Sequence, residues 1–139
     1  MIQELILLNR GGLALFYHNF LEKNKKQVNY QLTGSFLYHI YDFTKFCLKY
    51  NLVLISMTKC FFYFYAHKKS DLRLICKCDK SKYDKTKVIK KSLDLFAKNL
   101  IDIFLIAFKN DLENFDGEIS RFYSFTKIID DIFNSEHYK

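Results

Sequence analysis

Three short runs of β-branched, aromatic and aliphatic residues, all within residues 52–80, constrain the fold more than any other part of the sequence. The runs are Leu52–Met57, Phe61–Ala66 and Leu72–Cys78. Polar breaks at Thr58-Lys59 and at Lys68-Lys69-Ser70-Asp71 separate them. Short apolar runs divided by polar turns are typical of antiparallel strands. We therefore predict a three-stranded meander that the rest of the chain covers.

The chain begins with two further predicted strands, which form a hairpin. Ile2–Leu8 and Leu13–Phe20 read as strands, and the turn between them contains Gly11 and Gly12, which adopt positive φ at no steric cost. Both strands are apolar on both sides over part of their length. A sheet with one wet face would alternate cleanly, so we expect this sheet to be covered on both faces.

Three helices supply that cover. They are predicted at about Leu32–Tyr50, Lys85–Lys109 and Ile119–Phe133. In the first helix, three- and four-residue spacings make one apolar stripe. The stripe contains Leu32, Phe36, Ile40, Phe43 and Cys47, with Leu37, Tyr41 and Tyr50 alongside. The second helix becomes apolar almost all round near its end, which predicts that the last helix covers it.

The predicted order is two strands, one helix, three strands and two helices. This order predicts an α/β protein of the α+β type, with a five-stranded, mainly antiparallel sheet in the middle of three layers. One helix lies on one face of the sheet and two helices lie on the other. The 139 residues are enough for one domain with a sizeable core, so residues 1–139 are predicted to form a single domain.

Lysines dominate the charge of the chain, which is +7 at neutral pH. A basic group extends from the end of the meander into the start of the second helix, and its members are Lys77, Lys80, Lys82, Lys85, Lys87, Lys90 and Lys91. A solvated face is the first interpretation of this group, and an anionic membrane surface is the second. Nucleic acid ranks last, because base-reading modules usually present arginine and stacked aromatic residues.

No catalytic or metal-binding constellation is visible in the sequence. Cys47, Cys60, Cys76 and Cys78 form no C-x-x-C pair, and we interpret them as reduced, mostly buried thiols of a cytosolic protein. The four histidines share no ligand spacing with cysteine or carboxylate residues, although a pair of Cys60 and His67 stays open. We therefore predict no enzyme activity, no metal and no cofactor.

The sequence also lacks a membrane-spanning run. No apolar stretch reaches the roughly 18–20 residues of a span, and the best stretch, Leu100–Phe108, contains Asp102. The second residue is Ile2, which excludes myristoylation. We expect a cytoplasmic protein, which a partner or surface charge would bring to a membrane.

Three stretches of the sequence, together with the order of elements, resemble the longin domain superfamily. They read ELILLNRGGLALFYHNF, YFYAHKKSDLRLICKCDK and FDGEISRFYSFTKIIDDIF. The first is similar to the opening longin hairpin and the second to the fourth and fifth strands. The third is similar to the closing helix of the coat-adaptor small subunits. The chain is also similar to the amino-terminal domain of the signal-recognition-particle receptor α subunit.

The longin resemblance implies the sheet order 2-1-5-4-3, with Leu13–Phe20 and Leu52–Met57 as edges. The long SNARE members continue into a coiled coil and a membrane anchor. This sequence stops at Lys139, so we expect a free-standing longin-like protein, such as a compact archaeal or early-branching version. Proteins of this kind resemble scaffolds that bind small GTPases or one another.

The resemblance implies a non-enzymatic interaction module in membrane-trafficking-like machinery. Its partner would be a small GTPase or another longin- or roadblock-type subunit, and a homodimer is one form of this. We expect strand addition at an exposed edge. The predicted interface residues are Tyr17, Tyr41, Leu52, Leu54 and Met57. The alternative is a lysine-rich peripheral binder of anionic membranes, with Lys80, Lys82, Lys85, Lys87 and Lys91 at the surface.

Overall fold

The computed structural model of the chain describes residues 2–21, 29–80 and 86–135. Its strands are β1 (Ile2–Leu8), β2 (Ala14–Asn19), β3 (Leu54–Ser56), β4 (Cys60–Ala66) and β5 (Arg73–Asp79). Its helices are α1 (Tyr30–Cys47), α2 (Thr86–Ala107), α3 (Lys109–Glu113) and α4 (Phe125–Ser135), with a 3₁₀ helix at Ile119–Phe122. The mixed α+β class and the strand content predicted from the sequence are confirmed.

The five strands form one antiparallel sheet in the order β2-β1-β5-β4-β3. This is the order that the longin resemblance implied, so the predicted fold class and strand order are confirmed. The edge strand β3 is shorter than predicted, since only Leu54–Ser56 of the run Leu52–Met57 form it. Pairing then starts again at Cys60, after the Thr58-Lys59 turn.

Both faces of the sheet are buried, as the strand patterns predicted. Leu5 and Leu7 of β1 belong to the core on the side of α2 and α4, whereas Ile6 and Leu8 belong to the core on the side of α1. Successive side chains of a strand point to opposite faces, so a fully apolar β1 needs cover on both sides. One helix therefore lies on one face, and the carboxy-terminal helices lie on the other.

The buried side of α1 differs from the predicted stripe. Its buried residues are Gly34, Leu37 and Tyr41, whereas Leu32, Phe36, Phe43 and Cys47 of the predicted stripe are exposed. Gly34 explains the choice, because a Cβ there would lie 3.0 Å from Leu8 Cδ2 and 3.3 Å from Ile6 Cγ2. The missing side chain lets the helix backbone approach the sheet on this side alone.

The carboxy-terminal segment also differs in detail from the predicted single helix at Ile119–Phe133. A 3₁₀ helix comes first, and α4 begins only at Phe125. Phe122 and Phe125 lie 5.3 and 5.0 Å from Phe104 of α2 between ring centroids. The prediction that this segment covers the end of α2 is confirmed, and the break allows both rings to contact the same phenylalanine.

Gly12 is the one glycine of the first turn that needs its conformational freedom. Its φ is +83°, and a Cβ there would lie 2.9 Å from Tyr38 Cδ1. Gly11 is exposed, and its Cβ would have only Asn9 Oδ1 nearby, at 3.7 Å. The predicted positive φ therefore applies to Gly12, and the Asn9 side chain organises the turn by accepting the N–H groups of Gly11 and Leu13.

We expect Gly12→Ala to lower the free energy of unfolding by about 1–3 kcal/mol, the cost of holding a non-glycine residue in this conformation. Gly11→Ala is the matched control and should change it by less than about 0.5 kcal/mol. Urea denaturation of both variants measures the difference. Equal losses would show that the turn does not depend on Gly12.

Candidate functional site

The outer surface of α1 carries a row of large apolar side chains. Leu32, Phe36, Phe43 and Phe46 are 71%, 64%, 57% and 62% exposed. With His39, which is also exposed, they follow one another at spacings of four, three, four and three residues. Residues at these spacings share one side of a helix. We call this row of five residues the α1 outer face.

The α1 outer face lies opposite the side that packs on the sheet, where Leu37 and Tyr41 are buried. Single exposed apolar residues are normal, but a contiguous row of aromatic side chains in water is not. Exposed apolar residues continue past the end of the helix at Leu48 and Tyr50. Such a surface is typical of a protein interface.

The β2 edge of the sheet is partly occupied by the chain itself. The Gln31 side chain accepts the Ala14 N–H at 2.9 Å and donates to the Ala14 carbonyl at 2.7 Å, as a neighbouring strand would. Tyr17 donates its hydroxyl to Glu4 and stacks on Tyr30 at 5.1 Å between ring centroids. The predicted interface residue Tyr17 is thus half-buried and already engaged in internal contacts.

The β3 edge is more open. β3 pairs with β4 through Leu54, Ile55 and Ser56, and it is the last strand of the sheet. Leu54 is 37% exposed and Met57 is 53% exposed, whereas Leu52 is half-buried. The structure therefore places three of the predicted interface residues on or beside this edge.

Tyr41 does not belong with them. Its side chain is 5% exposed and packs against Phe64, and the Arg73 guanidinium lies 5.1 Å from its ring centroid. The prediction that Tyr41 is an interface residue was wrong, because its side chain is buried against the sheet. Apolar residues lie on both sides of α1, so spacing alone could not show that Tyr41 faces the sheet.

A groove of about 970 Å³ runs beside β4, between the end of α1 and the first half of α2. We call it the β4 groove. Its basic lining consists of Lys45, Lys68, Lys69, Lys90, Lys91 and Lys98. Its apolar lining includes Leu52, Val53 and Leu95, and the β4 residues from Tyr63 to Ala66 also line it.

The structure describes the side chains of two of the five predicted anionic-surface lysines. Lys91 lines the β4 groove, whereas Lys80 donates its ammonium group to the Met57 carbonyl at 3.1 Å. Lys82 and Lys85 lie outside the described residues, and the side chain of Lys87 is also outside them. Of the lysines that line the groove, Lys90 and Lys91 belong to the basic group of the sequence, whereas Lys68 and Lys69 come from the β4–β5 turn.

His67, at the end of β4, forms a polar network that sequence reasoning missed. It is 7% exposed, its Nδ1 lies 2.8 Å from Ser70 Oγ, and its Nε2 lies 3.0 Å from Asp102 Oδ1. An ionised carboxylate only accepts hydrogen bonds, so Nε2–H donates to Asp102. Lys98 donates to the other Asp102 oxygen at 3.1 Å. His67 and Asp102 are 35 residues apart, and no spacing signal connects them.

The serine, histidine and aspartate of this network connect two elements of the fold. Ser70 Oγ also accepts the Leu72 N–H at 3.3 Å within the β4–β5 turn. The network therefore attaches this turn to Asp102 of α2. The pair of Cys60 and His67 left open by the sequence is excluded, because Cys60 begins the seven-residue strand β4 and His67 follows its last residue. At about 3.3 Å per residue they lie at opposite ends of it.

The hydrogen bond from His67, followed by that from Lys98, holds the pKa of Asp102 below its usual range. A lowered pKa in the folded state stabilises the protein above the unfolded value, about 3.9, and the effect disappears as pH falls through the folded value. We expect the stability difference between the parent and Asp102→Asn to be largest near neutral pH and to shrink below about pH 4. Urea denaturation across this pH range measures it, and a constant difference would contradict this role of the carboxylate.

Two of the four cysteines lie deep in the core. Cys76 and Cys78 have no exposed surface, and burial raises the pKa of Cys78 to about 12 and that of Cys76 well above its usual value. Both are held as unreactive thiols, in agreement with the sequence interpretation. Cys60 is half-buried, whereas Cys47 is exposed at the end of α1.

Neither a metal-binding group nor a membrane-spanning helix is found among the residues that the structure describes. No three histidine, cysteine or carboxylate residues within residues 2–21, 29–80 and 86–135 come together as a group that could hold a metal ion. Over the same ranges, none of the helices combines the length and the apolar character that crossing a bilayer requires.

Comparison with known proteins adds little to these observations. No family model matches the chain, and no curated protein matches it. Among solved structures, the gliding protein MglB from Thermus thermophilus is similar at 14% identity and a TM-score of 0.45. The match covers 58% of this chain and 62% of that chain, which is less than two thirds of it. A similarity at this level carries no information about partners or activity.

Proposed function

We propose that this chain is a non-enzymatic protein-interaction module of longin type. It binds another longin- or roadblock-type subunit by packing the α1 outer face against a helix of that subunit. The observation that carries this proposal is the row of four large apolar residues, each more than half exposed, on the helix side that faces away from the sheet.

The spacing of the row favours a helix as the surface that covers it. Spacings of alternately four and three residues make a seam along which two helices interlock side chains. The four apolar residues of the seam span α1 from Leu32 to Phe46, about 21 Å at 1.5 Å per residue. A seam of this length matches one helix of similar length.

A second copy of this chain is the simplest partner. His39 lies midway between Leu32 and Phe46, seven residues from each. A two-fold axis at His39 would therefore place Leu32 of each copy beside Phe46 of the other, and the seam would complement itself. The assembly would be an antiparallel pair of α1 helices with both sheets facing outward.

Sizing chromatography with light scattering tests the proposal. The purified chain is measured alone over a range of concentrations, and then mixed with small GTPases loaded with GDP or GTP, the other partner class that the longin resemblance implies. A concentration-dependent dimer supports self-association. A nucleotide-dependent complex instead identifies a GTPase as the partner, in the trafficking-like role that the resemblance implies. A monomer that binds none of them contradicts the proposal.

A further inference from the structure

We propose that the β4 groove is a second binding site, which takes an extended acidic segment of a partner protein as an added strand. This site is separate from the α1 outer face, and it does not require the self-association proposed above. Three observations carry it: an open backbone position at the end of β4, a basic lining and an apolar lining at the same place.

The backbone of β4 has an open edge at its end. The His67 N–H donates to the Leu72 carbonyl of the β5 side, whereas the Phe64 N–H donates to the Val53 carbonyl on the β3 side. Bonding alternates along an antiparallel strand, so the N–H and C=O of Ala66 point away from β5. Within the described ranges, the ladder to β3 ends at Phe64 and Val53. The N–H and C=O of Ala66 are therefore a point at which an added strand can begin to pair.

The charge of the lining indicates what kind of segment fits. Six lysines and two aspartates line the described part of the groove, a formal balance of six minus two, or +4. Asp102 is already engaged by His67 and Lys98. An acidic segment would therefore complement the groove, whereas a basic one would be repelled.

The apolar lining makes an extended protein segment a better fit than other anionic ligands. Leu95, which is 61% exposed, and Val53 add apolar surface beside the lysines, and the apolar side chains of a protein segment can contact it. A lipid surface is flat and would not enter a groove between α1 and α2. The described lining contains no arginine, the residue that nucleic-acid sites favour.

The probe is a short fluorescein-labelled peptide of alternating glutamate and valine with blocked ends, titrated against the full chain and followed by fluorescence polarisation. Two control peptides replace every glutamate by lysine, or N-methylate the backbone so that it cannot pair. We expect the acidic peptide to bind at least about tenfold more tightly than either control. Equal binding of the lysine peptide or of the methylated peptide would overturn the proposal.

Variants of the protein test the basic lining and the open backbone position separately. Lys90→Glu combined with Lys91→Glu should weaken peptide binding by about tenfold or more. Lys109→Glu combined with Lys127→Glu changes the net charge equally at positions outside the groove, and it should change binding by less than about twofold. Equal weakening by both pairs would mean that net charge alone attracts the peptide, which would overturn the site.

Ala66→Pro removes the outward N–H, which the β4–β5 ladder does not use, and should abolish most peptide binding. Ala66→Ser keeps the N–H and should bind normally. If the proline variant fails to fold, slower amide exchange at Ala66 on adding the peptide to the parent gives the same answer.

Phe36→Glu, on the α1 outer face, should leave peptide binding intact and so separates this site from the proposed function. Flotation with phosphatidylserine vesicles but no peptide binding would overturn the proposal in favour of a membrane surface.

Discussion

Phe104→Ala is expected to lower the free energy of unfolding by about 3–5 kcal/mol, the usual cost of deleting a buried phenylalanine ring. Phe104 has no exposed surface. Its ring centroid lies 5.0 Å from that of Phe108, 5.3 Å from that of Phe122 and 5.0 Å from that of Phe125. These neighbours come from three segments, so no single movement could close the cavity, and the loss should lie near the upper end.

Ile106→Ala is the matched control for this prediction. Ile106 lies two residues further along α2 but is 82% exposed, so its truncation should change stability by less than about 0.5 kcal/mol. Urea denaturation at one pH measures both variants, and an unchanged slope against urea would show that the loss is one of stability. A loss below about 1 kcal/mol for Phe104→Ala would mean that the aromatic cluster is not the centre of the core.

Phe43→Glu is expected to weaken self-association by at least about a hundredfold. Truncation of a central aromatic anchor typically costs about 2 kcal/mol or more in binding, and a two-fold interface contains each substitution twice. The introduced carboxylate would also lose water without gaining a partner. Phe43 is 57% exposed in the single chain, so stability of the fold should change little.

Ile106→Glu serves as the matched control for association. It makes the same kind of change, apolar to acidic, at an exposed position on the opposite side of the sheet. Light scattering should show the parent and Ile106→Glu as dimers and Phe43→Glu as a monomer at the same concentration. Dissociation by Ile106→Glu alone would place the interface on α2 instead, and it would reject the α1 outer face.

The local sequence was enough to predict the strands and to predict that both faces of the sheet are covered. Period-two alternation is interrupted by continuous apolar runs in β1 and β2, and such runs need burial on both sides wherever they occur. The longin resemblance implied the sheet order, and the structure has that order. Turn chemistry was also local, although only Gly12 of the glycine pair uses positive φ.

The candidate sites depended on tertiary contacts that no local pattern contains. α1 has apolar residues on two opposite sides, and only the close approach at Gly34 decided that Leu37 and Tyr41 face the sheet and Phe36 and Phe43 face outward. The His67–Asp102 pair joins the residue after β4 to a helix far away in sequence. The sequence thus determined which segments must be buried, because burial follows from local polarity. Only packing decided which side of a helix stays exposed and which strand edge stays open, because both depend on how distant segments fit together.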